Sequence, residues 1–193
     1  TGRCAPFPIL RSMPMKSSNN RLLFVTGGSG SGKSAFAERQ VVESGLAQRI
    51  YLATMQPFGE ESARRIKRHR EMRMGKGFLT AERDTDLTGL DVPEDSAVLL
   101  EDLTNLFANE WFSVSTEGAR ERVLSGLAHV REKAALLVVV GNDIFRDGEQ
   151  YPPETEEYLA ALSDLNRAAA EEADEVWEVV CGIPLYLKKE ATP

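Results

Sequence analysis

Leu22-Leu23-Phe24-Val25-Thr26-Gly27-Gly28-Ser29-Gly30-Ser31-Gly32-Lys33-Ser34 is the stretch that decides the fold. Its first five residues form a short apolar run, and the eight that follow satisfy G-x-x-x-x-G-K-[ST] at every fixed position. Lys33 to Glu43 continues in helix-forming residues, with Phe36 four before Gln40. Strand, glycine-rich turn and helix are the context the motif needs, because its chemistry is carried by the backbone. Glycines permit angles that turn successive N–H groups inward, and those donors, with the helix N-terminus, hold the oxygens of a triphosphate. Gly27, Gly28, Ser29, Gly30, Ser31, Gly32, Lys33 and Ser34 are therefore nucleotide-binding candidates. Lys33 is expected to reach the β- and γ-phosphates as a catalytic cation, and the Ser34 hydroxyl to ligate Mg²⁺. The bland alternative is a Gly/Ser-rich turn that merely joins two elements.

Working outward, Arg49 to Thr54, Phe78 to Glu82, Ala97 to Leu100, Leu136 to Val140, Glu175 to Val180 and Leu185 to Lys188 read as further strands. Helical spacing predicts helices over Glu60 to Arg73, Leu103 to Phe112, Glu117 to Lys133 and Glu154 to Glu172. Strands that are apolar throughout, alternating with helices, indicate an α/β fold: a mostly parallel sheet flanked by helices on both faces. The last two strands, separated by Cys181 to Pro184, are expected to pair as an antiparallel hairpin at the edge. Residues 1–20 carry three prolines and scattered Ser and Asn, and read as a flexible arm before a single domain at 21–193.

Glu101 and Asp102 follow Val98-Leu99-Leu100, which puts two carboxylates at the C-terminal end of a strand, where α/β proteins bind ligands. This resembles a Walker B site. Both are catalytic candidates: one of the two, with Glu101 the metal candidate, is expected to hold Mg²⁺ through water, and the other to accept a proton from an attacking hydroxyl. Alternation along the strand points the two to opposite sides, and an acidic N-terminus for the next helix is the competing reading. Asn142, just past Val140, is a candidate phosphate contact or a plain turn residue.

Arg64, Arg65, Lys67, Arg68, Arg70 and Arg73 fall within ten residues, with His69 among them. On a helix Arg65 and Arg73 lie four residues either side of His69 and share its face. Like charge lowers the histidine's pKa and keeps the imidazole neutral and nucleophilic near pH 7. Two arginines beside it suit attack on a nucleotide α-phosphate and a histidine–nucleotide intermediate. A solvated basic helix is the competing account. His129, beside Arg131 and Glu132, carries no such case and reads as surface or core.

The rest of the composition narrows the function classes. Lys and Arg number 23 against 30 Asp and Glu, a formal net charge of -7, which opposes non-specific attraction to nucleic acid or anionic lipid. Cys4 and Cys181 have no neighbour at metal-binding or redox spacing and read as reduced thiols in a cytoplasmic protein. No apolar run approaches the roughly 20 residues that span a bilayer.

Taken together, LLFVTGGSGSGKSAFAE, IYLAT, RRIKRHREMR, TAE at Thr80 to Glu82, VLLEDLT, LLVVVGND, LNRAAAEEADEVWEVV and GIPLYLK resemble, in that order, the bifunctional adenosylcobinamide kinases and adenosylcobinamide-phosphate guanylyltransferases of cobalamin biosynthesis. The resemblance spans most of residues 22 to 188. It implies a RecA-like P-loop NTPase fold, a homotrimer, and Mg²⁺ with GTP, or ATP for the kinase step. It implies phosphorylation of the aminopropanol hydroxyl of adenosylcobinamide, then transfer of GMP from GTP through a histidine to give adenosylcobinamide-GDP. The family's R-I-x-x-H histidine falls on His69, and Arg65, Arg73 and Glu82 of the matching segments are nucleotide-binding candidates. Three departures stand out: Gly30 replaces an arginine of the family's P-loop, Phe78 replaces a tryptophan, and Gly141 to Pro152 reads GNDIFRDGEQYP instead of the family's loop. Two rival functions remain at this level: a P-loop kinase of another small metabolite without guanylyl transfer, and a GTP-binding switch. The absent N-K-x-D tetrad speaks against the switch.

Overall fold

A computed structural model describes residues 20–56, 60, 64, 66–68, 71, 73–144 and 148–189. The arm expected at the start lies almost wholly outside the described residues, as do Arg65, His69 and Cys4. Seven strands form one sheet in the order β3-β2-β4-β5-β1-β6-β7. They are β1 (Arg21–Thr26), β2 (Gln48–Ala53), β3 (Phe78–Glu82), β4 (Ser96–Glu101), β5 (Leu136–Val140), β6 (Glu175–Val180) and β7 (Ile183–Lys189). The first six run parallel and β7 closes the edge antiparallel to β6. The helices are α1 (Lys33–Glu43), α2 (Leu103–Asn109), α3 (Ala119–Lys133) and α4 (Pro153–Glu172), with helical residues also at Glu60, Arg64, Ile66 to Arg68, Glu71 and Arg73.

Strand alternation sorts the core into two layers. Leu22, Phe24, Val98, Leu100, Leu137 and Val139 point toward α2, α3 and α4, where Leu103, Phe107, Leu127, Leu162 and Leu165 complete one cluster. Leu23, Val25, Tyr51, Leu99, Val138 and Val140 point the other way and meet Phe36, Ala37 and Val41 of α1. β4 and β5 are covered on both faces, which is why they read as unbroken apolar runs.

Element boundaries differ from the sequence expectation where side chains intervene. Helix α2 ends at Asn109, and the chain widens into a π turn over Glu110–Val114 instead of running on as α-helix to Phe112. Arg122 fixes that turn by donating to the Glu110 carboxylate at 2.6 Å and to the carbonyls of Glu110 and Ser115 at 3.0 and 2.5 Å. The terminal hairpin is tighter than Cys181 to Pro184 suggested: β7 starts at Ile183, and only Cys181 (φ 50°) and Gly182 (φ 80°) turn the chain. Two successive positive φ values match the twist of the flanking strands and let Pro184 sit within an edge strand. Among the described residues no helix is long and apolar enough to cross a membrane.

Leu99 is fully buried at the centre of the sheet under α1. Leu99→Ala is expected to lower unfolding free energy by about 2–5 kcal/mol, read from the shift of the denaturation midpoint in urea.

Candidate functional site

The sheet register gathers the candidate residues at one edge. Val25 pairs with Val140, and Val140 with Glu101. Glu101 pairs with Ala53, and Ala53 with Glu82. The phosphate-binding turn, Gly141-Asn142, Glu101-Asp102 and Glu82 therefore leave the sheet at the same level, at its carboxyl end. One strand, β5, lies between the strand that delivers the turn and the strand that delivers the carboxylates.

Glycine is required in the turn for two separate reasons. At Gly27 (φ 152°) a Cβ would come within 2.6 Å of the Val179 carbonyl oxygen and 2.7 Å of Ser31 Oγ. Gly32 (φ 95°) begins α1 and lies against the hairpin, where its Cβ would stand 3.3 Å from Gly182 Cα. The Gly182 N–H donates to the Ser31 carbonyl at 2.8 Å, and the Asp143 N–H donates to the Gly27 carbonyl at 3.2 Å. The loop is thus clamped by β6, by the β6–β7 turn and by the segment after β5. Gly28, Ser29 and Gly30 remain exposed. Lys33 is buried, with Nζ donating to the Gly28 carbonyl at 3.0 Å across the loop, and Ser34 is half-buried in the first turn of α1.

The two carboxylates are buried and face opposite ways, as alternation required. Glu101 lies on the sheet face that α1 covers, where burial first, and then the Glu101 charge, raises the pKa of Tyr51. Asp102 caps α2, accepting from the Asn105 N–H at 2.6 Å, and its other oxygen accepts from Asn142 Nδ2 at 3.0 Å. The acidic helix start weighed against a catalytic role is therefore present at Asp102. The Thr54 hydroxyl donates to the Asp102 carbonyl at 3.1 Å and ties the end of β2 to the end of β4. Tyr158 of α4 stacks on Phe107, and burial, with the charge of Asp102, pushes its pKa up to about 12. Asn142 also reaches Thr104 Oγ1 at 3.3 Å, and Asn166 of α4 donates to its carbonyl at 3.4 Å, so it is wired to the carboxylate side of the site.

Arg73, the described member of the proposed histidine face, is 7% exposed, and its guanidinium lies 3.3 Å from the centroid of the Tyr51 ring. Arg65 and His69 lie outside the described residues. Glu82 is exposed at the end of β3, an edge strand, and Phe78 packs partly buried against the α1-side core. His129 Nε2 bonds the Leu90 carbonyl at 3.0 Å, far from this edge in the fold, and Cys181 is an exposed free thiol in the hairpin turn.

Neither Tyr51 nor the contact of the expected hairpin with the phosphate-binding turn stood out in the sequence. A tyrosine between Ile50 and Leu52 was the available signal for the first, since a buried hydroxyl must find a partner. Nothing local marks the second, because the contact joins residues about 150 positions apart.

The donor set suits Mg²⁺ brought in with a triphosphate. It consists of a half-buried hydroxyl at Ser34 and a buried carboxylate at Glu101, both oxygen ligands for a hard cation. Among the described residues no cluster of three His, Cys, Asp or Glu would hold a metal alone.

A family model described as cobinamide kinase / cobinamide phosphate guanyltransferase matches residues 23–187. The bifunctional adenosylcobalamin biosynthesis protein CobU of Salmonella typhimurium is 32% identical over 187 residues, covering 86% of this chain and 99% of that protein. CobP of Pseudomonas aeruginosa, with the same description, is 31% identical over 172 residues, covering 86% of this chain and 96% of its own. Among solved structures an ATPase domain superimposes with a TM-score of 0.52 at 8% identity, over 91% of this chain and 79% of that one. A protein from Pyrococcus horikoshii superimposes with a TM-score of 0.52 at 12% identity, over 90% of this chain and 88% of its own. At such identities the likeness bears on the fold alone, which is that of a RecA-like P-loop NTPase.

Gly27→Ala should weaken nucleotide binding by at least ~10-fold, because the added methyl meets backbone that cannot give way. Gly30→Ala, with nothing within 4 Å of the new Cβ, should weaken binding less than Gly27→Ala, because it adds the strain of a left-handed residue without a clash. Titration with a fluorescent nucleotide analogue compares the two.

Proposed function

The chain belongs to the cobinamide kinase / cobinamide phosphate guanyltransferase family, and from that premise we propose that it phosphorylates adenosylcobinamide with GTP or ATP and then caps the product with GMP from GTP. The observation that supports this reading best is the single carboxyl edge shared by the phosphate-binding turn, the Glu101-Asp102 pair and the strand that ends in Glu82.

In the first transfer the turn from Gly27 to Ser34 holds the triphosphate by its backbone N–H groups, and Lys33 exchanges the Gly28 carbonyl for the β- and γ-phosphate oxygens. Mg²⁺, when bound, would offset charge on those oxygens, held by Ser34 and, through water, by Glu101. The aminopropanol oxygen attacks the γ-phosphorus, the bond to the β–γ bridging oxygen breaks, and the nucleoside diphosphate leaves. Asp102, whose oxygens accept from the Asn105 N–H and from Asn142 Nδ2, takes the hydroxyl proton.

In the second transfer a ring nitrogen of His69 attacks the α-phosphorus of GTP, and the bond to the α–β bridging oxygen breaks to release pyrophosphate. Arg65 and Arg73 hold the α-phosphate oxygens as charge shifts. A phosphate oxygen of the phosphorylated corrinoid then attacks the same phosphorus, the P–N bond breaks, and adenosylcobinamide-GDP forms with the imidazole restored. The enzyme works in the cytoplasm as a homotrimer. Support for association comes from β7, an edge strand that exposes Ile183, Leu185 and Leu187.

Lys33→Ala should reduce kinase turnover at least ~100-fold, since it removes charge stabilisation at the transferring phosphoryl group. His69→Asn should keep most kinase activity while losing both the labelled protein adduct from α-labelled GTP and adenosylcobinamide-GDP. An adduct that persists in His69→Asn places the nucleophile elsewhere.

A further inference from the structure

Tyr51 stands between Ile50 and Leu52 in β2, and it is buried in the α1-side layer. Glu101 lies one strand away on β4, two residues beyond Tyr51's pairing partner Leu99 and on the same sheet face, where its charge acts on the Tyr51 hydroxyl. The Tyr51 ring face is covered by the Arg73 guanidinium at 3.3 Å. One side chain therefore stands beside a residue assigned to each of the two transfers.

The way Arg73 is held matters for what it can do. A guanidinium gripped on its flat face by an aromatic ring keeps its N–H edges for other partners. Arg73 Nη1 is buried and makes no hydrogen bond among the described residues. The residue also lines an open depression of about 520 Å³ with Met74, Gly75, Gly77, Phe78 and Thr80. A cation fixed by its face beside such a space is set up to receive an anionic oxygen.

Tyr51 is not needed to fasten the chain segment that carries Arg73. Arg49 Nη1 donates to the Lys76 carbonyl at 2.7 Å, and Lys76 Nζ pairs with the buried Glu38 of α1 at 2.5 Å. Those contacts anchor the turn after Arg73 to β2 and α1 by other means.

We propose that Tyr51 is a positioning residue for both transfers: its hydroxyl aims the Glu101 carboxylate, and its ring presents Arg73 edge-on to phosphate oxygens. This rests on the roles given above to Glu101 and Arg73. Its own content is that the two are set by one side chain, so that removing the hydroxyl and removing the ring have separable effects.

The test uses the full chain with Tyr51→Phe, Tyr51→Leu, Glu101→Gln and Arg73→Ala, each checked for thermal unfolding. Tyr51→Phe should lower kinase kcat about 10-fold and raise the Mg²⁺ concentration for half-maximal rate several-fold with little change in nucleotide KM, as expected when the hydroxyl beside the Glu101 carboxylate is removed. Adding it to Glu101→Gln should cause little further loss, since both act through one carboxylate. Tyr51→Leu should, in addition, slow GMP-adduct formation about 10-fold relative to Tyr51→Phe, approaching Arg73→Ala. Parallel loss of both activities in Tyr51→Phe with unchanged Mg²⁺ dependence means a structural role and overturns the proposal. Wild-type kinetics for Tyr51→Phe beside an impaired Glu101→Gln overturns the proposal alone. Wild-type Mg²⁺ dependence in Glu101→Gln overturns the assignment of Glu101, and this proposal with it.

Discussion

Strand β5 fixes the distance on which the site depends. Its five residues are buried on both faces and hydrogen-bonded to β1 on one side and β4 on the other. A sheet spaces its strands at about 4.8 Å, so the end of β1 and the end of β4 stand about 10 Å apart. That gap accommodates a triphosphate tail held by one end and an acceptor hydroxyl approaching the other. It is set by backbone pairing of an apolar run and not by the polar groups that use it. Polar residues at the edge then refine what the sheet has placed: Asn142 reaches across from β5 to Asp102, and Thr54 ties β2 to the same residue.

The phosphate-binding turn needs a second support, because a loop of exposed glycines would otherwise lose much entropy in holding one conformation. The β6–β7 hairpin supplies it. The Val179 carbonyl lies over Gly27, and the Gly182 N–H bonds the Ser31 carbonyl. The hairpin in turn is ordered by ring contacts of Trp177 with Tyr186 and with Phe36 of α1. An aromatic cluster at the sheet edge thus holds the turn that begins the helix on which one of its own members packs.

Much of this was legible in the chain, and the parts that were not share a cause. Strand β5, α1, β3 and β6 fall where apolar runs and helix formers put them, because local pattern and burial agree there. The P-loop was readable because its chemistry demands glycine at fixed positions. The order of the strands was not, since no residue in β4 states that β5 will insert beside it. The π turn after Asn109 was hidden for a similar reason: Arg122, twelve residues beyond Glu110, decides it. Asp102 shows the remaining limit. Its sequence position allowed either a helix cap or a catalytic carboxylate, and the capping bond that the structure supplies leaves one side chain able to serve as both.

The strand order also places the two chemistries relative to each other. Tyr51 and Arg73 stand over β2, three strands from β1 and so about 14 Å from the turn that holds a triphosphate. The bridging oxygens released in the two transfers differ by one phosphate, a far shorter span. A nucleotide bound by its terminal phosphates in the turn is therefore not automatically in line with a nucleophile on the basic helix. Glu101 lies on the strand between, adjacent to β2 and two strands from β1, on the same sheet face as Tyr51 and at the level of the turn. A carboxylate in that place feels the charge of both regions, so occupancy of one changes the electrostatic cost of occupying the other. On the proposed assignment the two transfers stand apart in space, with the buried Glu101 on a strand between them.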